Sequence, residues 1–341
     1  MLIGKLLKTK TKKFEKHFFS GLSFQSHTCK KNYIFFAIKG NTNDGHNYID
    51  QAIKNGARTI IHQGSFEGFK NKILFLSYKN TRKVLAHASY NFFKKKPKNI
   101  IAVTGTNGKS SVSDFYFQIL KASNIKVASI GTLGIKYSDK VIKVNNTTLD
   151  SIHLAKNLSF LKKKKINNVI LEASSHGLKQ NRLDGLNFSS AIFTNFSHDH
   201  LDYHKNSKDY LKSKLYLFNA LLKKKKIIIT DRSIKEFNKI KKISKKKNFF
   251  LKTILDSKSN IKLLSHKYDN FKQNIKIRYK KKNYTLSLNL IGRTQIKNVL
   301  MAVLAAENSK INLEKIIKNI GKLKSVNGRF EKIGSLKNNS M

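Results

Sequence analysis

Residues 99–111 read Asn-Ile-Ile-Ala-Val-Thr-Gly-Thr-Asn-Gly-Lys-Ser-Ser, and this stretch decides the fold. Its first six residues form an apolar run typical of a buried strand, and residues 110–122 continue with apolar side chains in a helix-compatible pattern. Between them lies a glycine-rich turn that ends in Lys109. A strand, a glycine-rich turn and a helix in this order predict a phosphate-binding loop.

The residue types in this loop suit phosphate chemistry. Glycines let successive backbone N–H groups turn towards phosphate oxygens, and the helix N-terminus adds partial positive charge. Lys109 can reach the terminal phosphates, and the Ser110 hydroxyl can bind Mg²⁺. The spacing is that of a shorter variant, since the usual pattern would place a glycine at Val103. A glycine-rich turn without a ligand is the alternative, and strand, glycines, Lys and Ser together argue against it.

Short apolar runs and helical patterns alternate outward from this loop. Further strands are predicted at residues 126–130, 168–172, 190–194 and 227–230, with helices at 151–163 and 207–222. This alternation predicts an α/β domain with a mainly parallel sheet. Strands at 33–38, 59–62 and 73–77 around a helix at 48–55 predict a smaller α/β unit before it. Residues 262–288 alternate like antiparallel hairpins, and residues 295–308 predict a helix.

The composition is strongly basic, with 69 Lys and Arg against 19 Asp and Glu and a formal net charge of +50. Phosphate neutralisation by such charge drives non-specific nucleic-acid binding. The excess is almost all Lys and is scattered, as compositional bias would produce, so we expect no nucleic-acid partner. The lysine runs at 162–165, 223–226 and 245–247 are interpreted as solvated helix ends or loops.

Cysteine content and hydropathy indicate the compartment. Cys29 is the single cysteine, which excludes an internal disulfide and fits a reducing compartment. Residues 1–16 lack the apolar run of a signal peptide, and no stretch reaches the roughly 18 apolar residues of a spanning helix. We therefore expect a soluble cytoplasmic protein without a membrane partner.

Two polar segments follow strands and suggest a metal site. Glu172 ends an apolar run, at the sheet edge where ligands collect, and its carboxylate suits Mg²⁺. The second segment, residues 194–204, holds three His and two Asp. By spacing alone it fits either a zinc site or an ordinary hydrogen-bonded turn, although the low cysteine content argues against structural zinc.

These segments together resemble successive motifs of the Mur ligases. The matching stretches are Gly105–Ser111, residues 172–178 (EASSHGL), residues 193–204 and the pattern Tyr210-x-x-x-Lys214-x-x-x-Phe218. Asn146-Thr147-Thr148 and Gln180-x-Arg182 point to the subgroup that adds a diamino acid to a UDP-linked muramyl dipeptide. The resemblance covers almost the whole chain.

The resemblance implies a role for each matched residue. ATP would be bound by Gly105, Thr106, Asn107, Gly108, Lys109, Ser110, Ser111, Asn298 and Arg329. Mg²⁺ would be held by Ser110, Glu172, His200 and Lys214, the last as a carbamoylated lysine. Lys109, Glu172, His200 and Lys214 would be the catalytic set. The UDP-muramyl dipeptide would be held by Ser26, Asn41, Thr42, Asn43, Asn146, Thr147, Thr148, Ser174, Gln180 and Arg182.

The sequence departs from the family pattern at a few of these positions. Gln25 and His27 flank Ser26 where the family has Asp and Arg, and Thr294 stands where the family usually has Phe near Asn298. Arg182 is supported independently by chemistry, since a guanidinium can fork onto a carboxylate or a phosphate.

The resemblance also predicts domains and a reaction. Residues 1–97 would bind the UDP-muramyl group, 98–328 would bind ATP, and 329–341 would begin a linker to a third, Rossmann-like domain that this chain does not contain. The reaction would be ATP-dependent amide-bond formation through an acyl phosphate, by a monomer. The selected amino acid, with diaminopimelate the commoner choice, would depend on the third domain.

Two other hypotheses remain open at this point. The chain could be a catalytically incompetent remnant that binds nucleotide, because the third domain is not present and because of Gln25 and His27. Its charge also fits a nucleic-acid-dependent P-loop ATPase. Phosphate release that depends on the UDP-dipeptide and an amino acid would exclude both.

Overall fold

The structure is a computed structural model that describes residues 1–7, 12–40, 43–199, 202–269, 272–326 and 328. The chain divides into two compact units. Unit 1 comprises Met1–Lys96, Leu149–Phe160 and Gln180–Leu186, and unit 2 comprises Pro97–Thr148, Leu161–Lys179 and Asn187–Met341. Two short segments from the range predicted as the second domain thus cluster with the first unit.

The elements are numbered in chain order. The strands are β1 (Gly21–Ser23), β2 (Tyr33–Phe36), β3 (Ala57–His62), β4 (Gly68–Lys70), β5 (Ile73–Ser77), β6 (Asn99–Thr104), β7 (Val127–Gly131), β8 (Gly134–Tyr137), β9 (Lys140–Ile142), β10 (Asn168–Glu172), β11 (Ser190–Phe193), β12 (Ile227–Asp231), β13 (Phe250–Leu255), β14 (Ile261–Asp269), β15 (Lys272–Tyr279) and β16 (Lys282–Leu288). The α-helices are α1 (Ile49–Lys54), α2 (Thr81–Phe92), α3 (Lys109–Ala122), α4 (Ser151–Lys163), α5 (Ser175–Lys179), α6 (Ser207–Tyr216), α7 (Phe237–Lys247), α8 (Arg293–Asn308) and α9 (Leu313–Ile320). Short 3₁₀ turns lie at Ile3–Lys5, Lys12–Phe14, Ser26–Thr28 and Gly45–Tyr48.

Unit 1 is built on a sheet with the strand order β1-β2-β3-β5-β4 over the described residues. All neighbours pair in parallel except β4, which is antiparallel to β5. Along β2, Ile34 and Phe36 belong to one apolar cluster while Phe35 belongs to another. Because alternate strand residues point to opposite faces, both faces of this sheet are covered, as is usual for parallel sheets.

Unit 2 is built on a larger sheet whose described strands have the order β16-β15-β14-β13-β12-β11-β6-β10-β7-β8-β9. The strands from β14 to β7 pair in parallel, and antiparallel hairpins extend the sheet at both ends. This confirms the predicted α/β class and the hairpins expected for residues 262–288. The parallel strands bring the C-terminal ends of β6, β10 and β11 to one edge of the sheet, which is where ligands bind in such folds.

Two helices form the main core of unit 2 with the sheet. Helix α8 buries Val299, Leu300 and Val303, and α3 buries Phe115 and Ile119 in the same cluster. The predicted helix at 207–222 is α6 followed by a π-helical turn at Leu217–Leu221. Within the described residues, no helix combines the length and apolar character needed to cross a membrane.

Candidate active site

The predicted phosphate loop joins the C-terminal end of β6 to the first turn of α3. Gly105 and Gly108 have φ angles of +145° and +86°, which residues with side chains rarely adopt. A methyl group on Gly105 would overlap the Thr194 hydroxyl, and one on Gly108 would lie 2.6 Å from Oδ1 of Asn298. The loop therefore requires glycine at both positions, for backbone conformation and for space.

The turn after β11 holds the phosphate loop in shape. The backbone N–H of Asn107 donates to Oδ1 of Asn195 at 2.9 Å, and the Thr194 hydroxyl donates to the carbonyl of Asn107 at 2.5 Å. The N–H of Ser197 donates to the Thr106 hydroxyl at 3.1 Å. Contacts between the turn after β11 and the phosphate loop thus stabilise the shape of the loop.

Two lysines converge on one carbonyl group of the phosphate loop. Nζ of Lys109 donates to the carbonyls of Gly105 and Thr106, at 3.0 and 2.7 Å. Nζ of Lys214, on α6, donates to the same Gly105 carbonyl at 2.7 Å and lies 4.2 Å from the centre of the Tyr210 ring. The structure therefore brings Lys214 to the phosphate loop.

The environment of Lys214 makes its amine unusual. The side chain is almost fully buried, and this burial lowers the pKa of its amine to about 6. The charge of Lys109 acts in the same direction, while Asp199 opposes it. At neutral pH the Lys214 amine is therefore mostly uncharged and nucleophilic.

Glu172 lies at the C-terminal end of β10, between β6 and β7, and is 2% exposed. Its carboxylate accepts from the Ser110 hydroxyl at 3.1 Å and from the N–H of Thr132 at 3.0 Å. Burial raises the pKa of the carboxyl group, and the Lys109 charge and these hydrogen bonds partly offset that effect. A buried carboxylate next to a serine hydroxyl offers the oxygen ligands that Mg²⁺ prefers.

Hydroxyl groups predicted to bind substrate lie next to the backbone of Glu172. The Thr148 hydroxyl donates to the backbone carbonyl of Glu172 at 2.8 Å. It also accepts from the N–H of Ser174 at 2.9 Å and lies 3.0 Å from the hydroxyl of Ser174. Thr147 precedes Thr148, and Asn146 is exposed in the same segment. The structure therefore joins Thr148 and Ser174 to the Glu172 site.

Unit 1 contains a separate cavity of about 470 Å³. Predicted substrate residues in its lining are Ser26, Asn43, Gln180 and Arg182. The guanidinium of Arg182 donates to Oε1 of Gln180 from Nε at 3.0 Å and from Nη2 at 2.7 Å. This fork fixes the plane of the guanidinium at the cavity wall.

Ser26 is held in this wall by residues that the sequence did not single out. Its hydroxyl donates to Oε1 of Gln51 at 2.6 Å, and Nδ2 of Asn55 donates to its carbonyl at 2.9 Å. Gln25 and His27, the two departures from the family pattern, also line the cavity. Helix α1 and the residue after it thus position Ser26 without the usual neighbours.

Four of the remaining predicted residues lie outside the part of the chain that the structure describes: Asn41, Thr42, His200 and Arg329. Asn298 is buried on α8 beside Gly108, and Ser111 is buried in the first turn of α3. His198 is exposed, whereas His204 is buried against the rings of Tyr203 and Tyr210. In the described ranges no three His, Cys, Asp or Glu side chains are grouped to hold a metal.

Two residues of the site were missed by sequence reasoning. Thr132 supplies a backbone N–H to Glu172, and the carboxylate leaves no room for a side chain at Gly131. The sequence signal that could have revealed Thr132 is the Gly131-Thr132 pair at the end of β7, the strand next to β10. Asn195 lay in the polar segment after β11, but its contact with the phosphate loop depends on the pairing of β11 with β6.

The fold and site define a nucleotide-binding P-loop enzyme with a buried carboxylate at its phosphate loop. Two family descriptions match the chain: "Mur ligase family, catalytic domain" over residues 19–92 and "Mur ligase middle domain" over residues 103–306. The chain belongs to the Mur ligase family. The predicted class of reaction, ATP-dependent ligation of an acid to an amino acid, is confirmed by this membership.

Curated relatives support a finer comparison. UDP-N-acetylmuramoyl-L-alanyl-D-glutamate--2,6-diaminopimelate ligase of Rickettsia conorii is 36% identical over 324 residues, covering 94% of this chain and 67% of the relative. The ligase of the same name from Aquifex aeolicus is 34% identical over 317 residues, covering 92% of this chain and 64% of its own length. The chain thus spans about two thirds of the length of these relatives.

Solved structures show the same fold. A structure of UDP-N-acetylmuramoyl-L-alanyl-D-glutamate--2,6-diaminopimelate ligase superimposes with a TM-score of 0.85 at 23% identity, covering 96% of this chain and 68% of that one. MurF ligase from Thermotoga maritima in complex with ADP has a TM-score of 0.62 at 19% identity, covering 92% and 68%.

Proposed function

We propose that the chain takes part in the ATP-dependent addition of 2,6-diaminopimelate to UDP-N-acetylmuramoyl-L-alanyl-D-glutamate, the reaction for which its relatives are named. The observation that carries the proposal is the convergence of Glu172, Ser110 and Lys214 on the phosphate loop. A loop that only bound nucleotide would not require a second, buried lysine against its first carbonyl group.

The reaction has two chemical steps. A carboxylate oxygen of the substrate's D-glutamate attacks the γ-phosphorus of ATP, and the bond to the β-phosphate oxygen breaks, which gives an acyl phosphate and ADP. The amine of the diamino acid then attacks the acyl carbon, loses a proton and releases phosphate. Lys109 and the N–H groups of the phosphate loop stabilise the charge on the transferred phosphoryl group.

The residues present fit a magnesium ion. The Ser110 hydroxyl and the Glu172 carboxylate would hold it, together with His200 and a carbamoylated Lys214. When bound, Mg²⁺ would neutralise phosphate charge and orient the γ-phosphoryl group. Oxygen donors fit Mg²⁺, and a carbamate on Lys214 would add two more of them.

Lys214 has the environment that carbamate formation needs. Its uncharged Nζ carries a free electron pair that can attack the carbon of CO₂. A C–N bond then forms, one oxygen takes the electron pair of a C=O bond, and a proton leaves to solvent. The resulting anion would lie beside the Lys109 ammonium group, which would stabilise it.

The proposed substrate contacts fall into two groups. The cavity of unit 1 would bind the UDP-muramyl part through Ser26, Asn43, Gln180 and Arg182. Asn41 and Thr42, which precede Asn43 in the chain, would contribute to the same contacts. Asn146, Thr147, Thr148 and Ser174 would bind the dipeptide, and Asn298 and Arg329 would contact ATP. The buried thiol of Cys29 and the need for ATP support a cytoplasmic reaction.

Phosphate release tests the proposal. We expect the chain to release phosphate from ATP when both UDP-N-acetylmuramoyl-L-alanyl-D-glutamate and meso-diaminopimelate are present, and mass spectrometry to detect the tripeptide product. Glu172→Gln should abolish both signals. Phosphate release that is unchanged by both substrates but increases with DNA or RNA would contradict the proposal. ATP binding without turnover would favour a nucleotide-binding remnant.

A further inference from the structure

Lysine is concentrated in one segment of unit 2. Residues 223–250 contain eleven lysines, against two acidic residues, Asp231 and Glu236. Asp231 is fully buried and forms an ion pair with Lys297, outside the segment. We call the lysine patch the set formed by Lys223, Lys224, Lys225, Lys226, Lys239, Lys241, Lys242, Lys245, Lys246, Lys247 and Phe250.

The fold joins the members of the lysine patch into one surface. Helix α7 packs on β12 and β13 and buries Phe237, Ile240 and Ser244, so its lysines remain on the outer side. The N–H of Lys225 donates to the carbonyl of Asn248 at 2.8 Å, and the N–H of Phe250 donates to the carbonyl of Lys226 at 2.9 Å. The loop before β12 and the end of α7 therefore lie side by side.

This surface lies at the edge of the sheet opposite the phosphate loop. The two joined loops are at the N-terminal ends of β12 and β13, whereas the phosphate loop follows the C-terminal end of β6. The strands from β13 to β6 run in parallel, so these ends are on opposite edges. A partner on the lysine patch would leave the nucleotide edge accessible.

Among the residues that the structure describes, the charges of the lysine patch have no ion-pair partners. Elsewhere Lys280 pairs with Glu307, and Lys121 pairs with Asp139. Across the described part of the chain, no carboxylate lies within 4.0 Å of a lysine of the patch. Beside these charges the Phe250 side chain is 60% exposed. On this described surface, lysines without ion-pair partners and an exposed apolar ring together call for a partner that is both anionic and apolar.

We propose that the lysine patch docks this chain on an anionic lipid surface, which differs from the sequence-based expectation of no membrane partner. Clustered lysines are attracted to anionic headgroups, and an exposed aromatic ring can enter the boundary between headgroups and acyl chains. A nucleic acid would favour arginines and several aromatic rings for stacking, and the patch has no arginine and one ring. The lysine runs do lie at a helix end and in a loop, as the sequence indicated, but the fold assembles them into a docking surface.

Co-sedimentation with lipid vesicles tests this proposal. We expect the full chain to bind phosphatidylcholine vesicles that contain phosphatidylglycerol and not to bind vesicles of phosphatidylcholine alone. The bound chain should dissociate as the salt concentration increases. Changing Lys239, Lys241, Lys242, Lys245 and Lys246 to Gln should weaken binding at least about 30-fold. Phe250→Ser should weaken it without any change in charge.

A control variant separates the patch from the overall charge. Changing Lys140, Lys143, Lys163, Lys267 and Lys276 to Gln removes the same charge from other exposed positions of unit 2, and we expect it to retain most of the binding. Equal losses in both variants would overturn the proposal. So would a patch variant that binds vesicles normally but loses affinity for a short oligonucleotide. Circular dichroism of both variants checks that they are folded.

Discussion

Lys214 shows how a buried side chain can be prepared for chemistry by its surroundings. Burial and the nearby Lys109 lower the pKa of its amine to about 6, so the folded protein holds it without its proton at neutral pH. A protonated surface lysine could not react with CO₂, because its nitrogen has no free electron pair. The same burial that disfavours the charged amine therefore makes it reactive.

A pH series of unfolding measurements tests this account of Lys214. The unfolded chain has a lysine pKa near 10.5 and the folded chain one of about 6, so the unfolded state binds more protons between these values. The free energy of unfolding of the native chain should therefore rise with pH relative to Lys214→Met, by up to about 1.4 kcal/mol per pH unit. Urea denaturation in CO₂-free buffer between about pH 6.5 and 9 measures this difference. If the free energies of unfolding of the native chain and of Lys214→Met change with pH in the same way, the Lys214 amine stays protonated in the folded chain.

Glu172 gives a second prediction for a single residue. Glu172→Gln keeps the shape of the side chain and an oxygen for the Thr132 N–H but removes the negative charge. We expect ATP affinity without Mg²⁺ to be kept, and the gain in affinity on adding Mg²⁺ to fall at least about tenfold. Titration of a fluorescent ATP analogue with and without Mg²⁺ measures both. Glu236→Gln is the control, and an equal Mg²⁺ response in the native chain and Glu172→Gln would refute the role of Glu172.

Among the elements, the phosphate loop is the one whose shape depends most on glycine. At Gly108 the φ angle is +86° and a methyl group would lie 2.6 Å from Asn298. Gly108→Ala should therefore reduce ATP affinity at least about tenfold while the protein stays folded. Gly321→Ala is the matched control, because its nearest neighbour would be 3.6 Å away and its φ is −62°. Unchanged ATP binding in Gly108→Ala would show that the loop tolerates a side chain there.

Local sequence patterns predicted the elements around the phosphate loop. Strand β6 has the predicted bounds and α3 starts one residue earlier, because an apolar run, glycines and a helical pattern lie together in the chain. Helix α7 and strand β13 were not predicted. In α7 the spacing of Phe237, Ile240 and Ser244 is helical, but lysines fill the other positions and the apolar signal is weak.

The parts of the site that depend on distant pairing were less predictable. Thr132 reaches Glu172 because β7 and β10 are neighbours, and Asn195 reaches the phosphate loop because β11 pairs with β6. Lys214 meets Gly105 across 109 positions of the chain. The family resemblance supplied Lys214, whereas its low pKa required the folded environment. The helical pattern at 207–222 likewise did not reveal the π-helical turn that buries Leu217, Phe218 and Leu221.

Over the whole molecule, the predicted ligand contacts fall in two units with separate cores. Hydrogen exchange followed by mass spectrometry should therefore give two distinct footprints. ATP with Mg²⁺ should slow exchange at residues 105–111 and 194–197, which share hydrogen bonds. UDP-N-acetylmuramoyl-L-alanyl-D-glutamate should slow it at residues 24–27 and in peptides that contain Gln180 and Arg182, because these residues line the cavity of unit 1. Identical footprints for both ligands, or none at the cavity, would contradict this division.

Calorimetric titration of the chain with ATP in the presence of Mg²⁺ tests the central claim most directly. We expect one saturable site, whose affinity falls at least about tenfold in Lys109→Ala and when Mg²⁺ is removed with a chelator. Absence of saturable binding, or equal affinity in the native chain and Lys109→Ala, would contradict the assignment of this loop as the ATP site.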